Sequence, residues 1–232
     1  MKKLVLITII ISFYSHILKA QTISGYYIKQ MKGGVGDDSK LSENAQIPEI
    51  YEYMFSNNKS SLIKLTKGGT VIDTLKNDLN GYEIDNKVIE TTIKMSDYEL
   101  TKNLSSKTFK NKYCLKNKEY YINDSLPTFI WNISNDTKII NGFICKKATT
   151  THISFGYKLP ITAWFCEQIP IKDGPFHFHN LPGFIFELTS KNYFTIEFIY
   201  FKYDENKSTE VMDIETDIKP QTIKELEKNW KE

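Results

Sequence analysis

GFIFELTSKNYFTIEFIYFKY (183–203) decides the fold class. In its first arm Phe184, Phe186 and Leu188 recur every second residue. Across the Ser190-Lys191-Asn192 turn, Phe194, Ile196, Phe198 and Tyr200 do the same. A two-residue period is the spacing of a strand with one buried face. Because the periods on the two arms agree in register across the turn, the segment predicts an antiparallel hairpin.

Working outward, TISGYYIKQ (22–30) reads as a first strand, and EIYEYMFSNNKSSLIKLTKGG (49–69) as two strand-like runs around a turn at Asn57-Asn58. A polar, glycine-bearing loop (33–46) separates them. VIETTIKM (88–95), KTFKNKYCL (107–115) and EYYIND (119–124) are further strand candidates. LPTFIWNI (126–133) alternates around Phe129 and Trp131, and KIINGFICKKATTTHI (138–153) and ITAWFCEQI (161–169) predict neighbouring strands. Only KPQTIKELEKNW (219–230) has helical spacing: Pro220 suits a first turn, and Ile223, Leu226 and Trp230 fall on one side. The expected fold is mainly β, a curved antiparallel sheet or partial barrel with a short C-terminal helix, which would cover an open face or edge.

The 232 residues, 41% hydrophobic and 25% charged, suit a globular chain with a sizeable core. A positive start (Met1-Lys2-Lys3), ten apolar residues (4–13) and a polar run to Ala20 form a signal peptide, with cleavage expected after Ala20. That leaves 21–232 as one domain. The apolar run is shorter than the roughly 20 residues a spanning helix needs, and no cysteine near the cut offers a lipid anchor. The expected location is therefore periplasmic or secreted. Loss of Lys2, Lys3 and Lys19 takes the formal charge from +2 to −1, and no basic cluster invites nucleic acid. All basic residues are lysine, so no guanidinium clamp exists for phosphate or carboxylate.

Of the three cysteines, Cys145 and Cys166 are symmetric about Phe155-Gly156. A hairpin centred there would place them opposite one another, at a Cβ separation of roughly 4.5–5.5 Å, near the upper limit for a disulfide. A Cys145–Cys166 bridge and two buried thiols are the alternatives.

GPFHFHNLPGFIFEL (174–188) is the densest stretch. On a strand His177 and His179 would share a face and could share a metal, with His152, Asp173, Glu167 or Glu187 completing the site. The polar side of an amphipathic strand explains the same pair. Cys145 or Cys114 with His152 or His177, or an Asp173–Glu187 carboxylate pair, are the only catalytic constellations, and no GxSxG, HExxH or phosphate loop supports them. Leu181-Pro182-Gly183 suits a type II turn, which predicts a positive φ at Gly183; Asn180 tolerates the left-handed region.

LPTFIW, TKIINGFICKKAT and TAWFCEQIPIKDGPFHFHNLPGFIFEL, in that order, resemble the GLPGLI family of secreted proteins of Bacteroidota. The resemblance spans about 51–203 and includes Trp131, Lys138, Gly142, Cys145, Trp164, Pro170, Gly174, Pro175, Leu181, Pro182 and Gly183. Asn180 stands where the family has glycine, Phe184 where it has leucine, and its Gly-Arg pair has no clear counterpart. The resemblance implies export and fold but no enzymatic activity. The expected role is a non-catalytic cell-envelope accessory or ligand-binding protein, with an apolar or peptide-like ligand or an outer-membrane transporter as partner. Trp131, Trp164, Phe184, Phe186, Phe194 and Phe198 would line the cavity. A metal-binding protein using His177 and His179 is the alternative, a hydrolase the third.

Overall fold

The structure, a computed structural model, describes residues 21–33, 47–65, 97–115, 117–154 and 157–229. The expected signal peptide, all of the expected 33–46 loop but Gly33, the 88–95 strand and Trp230 lie outside these. Among the described residues eleven strands and one helix follow in order: β1 (Thr22–Met31), β2 (Glu49–Ser56), β3 (Lys59–Leu65), β4 (Tyr98–Asn103), β5 (Thr108–Leu115), β6 (Lys118–Ser125), β7 (Asn132–Ile140), β8 (Phe143–Ser154), β9 (Tyr157–Cys166), β10 (Phe184–Ser190), β11 (Phe194–Asp204) and α1 (Ile223–Asn229). They form one antiparallel sheet, β6-β5-β4-β3-β2-β1-β11-β10-β9-β8-β7, which does not close into a barrel. Two meanders are joined where the first strand pairs with the last.

Short local turns make the meanders. Asn57-Asn58 (φ 51° and 61°) and Asn141-Gly142 (φ 50° and 80°) hold both turn residues left-handed, the backbone of a type I′ hairpin loop whose twist matches its strands. One face of the sheet carries the core. The register aligns Tyr27 with Tyr51 and Phe198, Tyr53 with Leu62, Leu62 with Leu100, and Lys102 with Phe109. On the other side of β1 it aligns Leu188 with Ile196 and Ala163, and Ala163 with Ala148.

A bulge between Tyr26 and Tyr27 on the β1–β11 ladder changes the β11 alternation: Phe198 pairs with Tyr27, but Tyr200 pairs with Tyr26. Ile199 is the extra residue, so Phe198 and Phe201 both turn inward and Tyr200 turns out. The expected inward Tyr200 is thereby corrected. Residues 126–131 are not a strand either; they form the connection from β6 to β7.

The sheet wraps on itself. The connection 167–183, between β9 and β10, lies against the core face. Its neighbours His177 and Phe178 touch Phe109 on β5 (4.4 Å between rings) and His152 on β8 (5.7 Å) respectively. In a flat sheet β5 and β8 would be eight strand spacings apart, roughly 38 Å. Curvature brings both onto one loop. The lumen is thus filled by the chain itself, including Phe129, which stacks on Phe178 at 4.9 Å.

The tail after β11 returns along the outside. Thr209 N bonds Ser56 Oγ (3.1 Å), Asp213 meets Thr101 and Lys110, and Gln221 forms a bridge to Ile122 on the β6 edge. α1 then starts at Ile223 behind a capping box: Thr222 Oγ1 accepts from Glu225 N (3.2 Å) and Glu225 Oε2 accepts from Thr222 N (2.8 Å). Pro220 precedes the helix rather than entering it. Among the described residues no helix is long and apolar enough to cross a membrane.

Candidate functional site

The polar groups that face the lumen gather around the 167–183 loop. Lys102 lies on β4 with Leu100 two residues away on the same face, so its side chain enters the core. Its Nζ donates to Asp173 Oδ1 (2.5 Å) and to Gly174 O (2.7 Å), and Tyr53 on β2 donates its hydroxyl to Asp173 Oδ2 (2.8 Å). The side chains of the ion pair are 2% and 0% exposed. Burial lowers the Lys102 pKa from its ordinary value against the opposing pull of Asp173, and burial with the Asp173 charge keeps the Tyr53 phenol protonated. A second tie comes from Tyr27, whose hydroxyl donates to Ile185 O (2.6 Å). The bonds of Lys102 and Tyr53 fasten the loop to β4 and β2, and that of Tyr27 ties the start of β10, just after the loop, to β1.

The loop is tightly fitted. Phe176 adopts φ 52°, a conformation bulky residues avoid, and is held between Tyr51 and Tyr98 (5.0 and 5.7 Å) under Lys29 Nζ. Asn180 is left-handed at φ 69°, as its side chain permits. Gly183, however, does not have a positive φ, so the expected type II turn is wrong. Glycine is required there because a Cβ would lie 2.1 Å from Cys166 O; at Gly174 one would lie 2.6 Å from Ile185 Cβ.

His177 and His179 are not on a strand, and the alternation argument for a shared face fails. Pro175 and Phe178 close a turn between them (Phe178 N to Pro175 O, 3.2 Å). His177 packs edge-on against Phe109, and its buried Nε2 has no partner. Burial first, then the charges of Lys102, His152 and His179, hold its pKa down to about 3. His179 donates Nε2–H to Pro127 O (3.0 Å), since a carbonyl can only accept; burial and Lys102 lower its pKa as well. Of the suggested further ligands, Asp173 is engaged with Lys102, Glu167 with Lys146 and Glu187 with Lys138, and His152 packs its ring against Phe129 and Phe178. Among the described residues no group of three or more His, Cys, Asp or Glu side chains is placed to hold a metal.

The Cys145–Cys166 register is as expected, since Lys146 pairs with Phe165 in the β8–β9 ladder. Both sulfurs are buried free thiols rather than a disulfide. Cys145 Sγ–H donates to Phe143 O (3.7 Å) and Cys166 Sγ–H to Gln168 Oε1 (3.8 Å), and the neighbouring thiols split each other's acidity: Cys145 and the Gln168 and Ile169 amides lower Cys166, while Cys166 and burial raise Cys145. Cys114 is exposed on β5, and among the described residues no cysteine hydrogen-bonds to a histidine. The Asp173–Glu187 pair does not form, each acid being bound to a different lysine.

Of the aromatics expected to line a cavity, Phe184, Phe186 and Phe198 are solid core, in ring contacts of 5.2–6.1 Å with one another. Trp164 is partly exposed, capped by Lys138 Nζ 4.6 Å above its ring, and Trp131 donates Nε1–H to His179 O (2.9 Å). The open space lies elsewhere. A cleft of about 720 Å³ opens at the end of the lumen, between the Asn57-Asn58 and Leu104–Lys107 turns on one side and Pro170, Ile171, Lys172, His179 and Asn180 of the loop on the other. Phe55 and Leu126 add apolar lining, Gln21 and Thr128 polar. Nothing in the local sequence marks this cleft, because its walls come from five separate segments.

A family model described as "Protein of unknown function (Porph_ging)" matches residues 154–187. The match covers the end of β8, β9, the lumen-filling loop and the first half of β10. Its description assigns no activity. No curated protein matches the chain. Solved structures of PNGF-II in C2 and P21 space groups are similar to this chain at TM-scores of 0.49 and 0.47 and 14% identity, over 83% and 84% of its length. The chain spans only 28% and 29% of those proteins.

Proposed function

We propose that this chain is an exported, non-catalytic ligand-binding protein of the cell envelope, of the GLPGLI kind, acting in the periplasm or outside the cell. The cleft of about 720 Å³ carries this reading: its size is that of small-ligand sites, and it mixes apolar side chains with a few polar ones. Its far wall belongs to the loop that Lys102, Asp173 and Tyr53 hold in place. A wall fixed by buried charge and fitted backbone is preorganised, so ligand binding need not bear the cost of ordering it. The ligand class is apolar or peptide-like, and an outer-membrane transporter is the expected kind of partner.

Native mass spectrometry of protein recovered from the periplasm or medium tests the reading. The chain should begin at Gln21 and carry a non-covalent adduct of small-molecule mass. Thr128→Trp, which fills the cleft from an exposed position on its lining, should abolish the adduct without lowering the melting temperature. A bare exported chain would refute the ligand-binding reading, and a chain found only in the cytoplasm with residues 1–20 intact would refute export.

A further inference from the structure

Resting on that reading, we infer that the cleft takes short peptides by their C-terminal carboxylate. The first observation is charge. Of its fourteen lining residues two are lysines, Lys107 from the turn between β4 and β5 and Lys172 from the loop opposite, and none is Asp or Glu. Neither lysine has a carboxylate partner among the described residues. Two unpaired cations on facing walls, with no acid between them, favour an anion, and the chain has no arginine to serve instead.

The second observation separates a peptide from a fatty acid. Gln21, Asn58 and Asn180 offer side-chain amides, and Ser105 and Thr128 hydroxyls, while the Asn57 amide also donates to Ser208 Oγ (2.7 Å). Amides match peptide N–H and C=O groups in both directions; an alkyl chain would leave them unused and bury them at a cost. Phe55, Leu104, Leu126 and Ile171 then receive apolar side chains of the peptide.

The test is a titration of the mature chain, followed by amide chemical shifts, with N-acetyl tripeptides ending in Ala, Leu, Phe or Lys. Each is supplied as free acid and as C-terminal amide, with dodecanoate as a further arm. At low salt the free acids should bind about tenfold more tightly than the amides, shifting cleft residues. Lys107→Gln/Lys172→Gln should bring the two forms to parity without changing the thermal melt. Equal binding of acid and amide by the unmutated chain would overturn the carboxylate inference and leave the cleft reading intact. Tighter binding of dodecanoate than of every peptide would overturn the peptide class. No shift with any probe would overturn both.

Discussion

Asp173→Asn isolates the charge that fastens the lumen-filling loop. The substitution keeps the shape of the side chain and lets Tyr53 still donate to an oxygen, but it leaves Lys102 without its counter-charge in a site where the lysine is 2% exposed. Removing one partner of a buried pair costs about 3–5 kcal/mol. The lysine has one escape, which is to lose its proton; at pH 7 that costs about 4.6 kcal/mol against an ordinary pKa near 10.4, so the loss should not much exceed this. The pH dependence follows with a definite sign. Burial lowers the Lys102 pKa in the folded chain, so between that value and the unfolded one the unfolded state binds more protons and stability rises with pH. Without Asp173 the folded pKa drops further. The gap between the original chain and the variant should therefore be about 3–5 kcal/mol at pH 7 and shrink, by at most about 1.4 kcal/mol per pH unit, toward pH 9.5. Urea unfolding followed by circular dichroism at the two pH values measures it. A loss below about 1 kcal/mol at pH 7, or a gap that widens toward pH 9.5, would refute the reasoning.

Three further outcomes are expected. Gly183→Ala should cost about 2 kcal/mol or more in a urea melt, because its Cβ meets the Cys166 carbonyl, while Asn180→Gly should be close to neutral and Asn180→Ala should cost about 1 kcal/mol at its left-handed φ. His177, held down to about 3, should stay neutral on lowering the pH to 4 in a long-range nitrogen–proton correlation experiment; the unfolded histidine protonates near pH 6.5, so its contribution to stability is lost as pH falls from there toward 3. In the reduced protein the first thiolate, read by absorbance at 240 nm, should form below the ordinary thiol range and disappear in Cys166→Ser, since the two neighbouring thiols lower Cys166 and raise Cys145.

The strands and hairpins were readable because their information is local: asparagine-rich turns and two-residue periods set the register, even placing Cys145 opposite Cys166. What escaped depended on distant contacts. A single bulge at Ile199 turned Tyr200 outward with no mark in the periodicity. Phe129 and Trp131 alternate as in a strand, yet they sit in a connection that packs on Phe178. Gly183 was given a turn's reason when its real constraint is the backbone of Cys166, seventeen residues earlier in the chain. The Lys102–Asp173 pair spans 71 residues. One sign of it was present: in YELTKN, Lys102 shares a strand face with Leu100, and a lysine on an apolar face calls for a buried partner.

The pairing of β1 with β11 governs how this protein must come to its final form. The two meanders consist of neighbours in sequence and can assemble as they are made. Their junction joins Thr22 to Asp204, and contacts of such sequence separation close slowly. Until the last strand arrives, the central strand shows an open hydrogen-bonding edge, the surface through which β chains aggregate. A chain ending before residue 194 would keep that edge permanently, so shortened versions should be lost to aggregation rather than accumulate as a smaller fold.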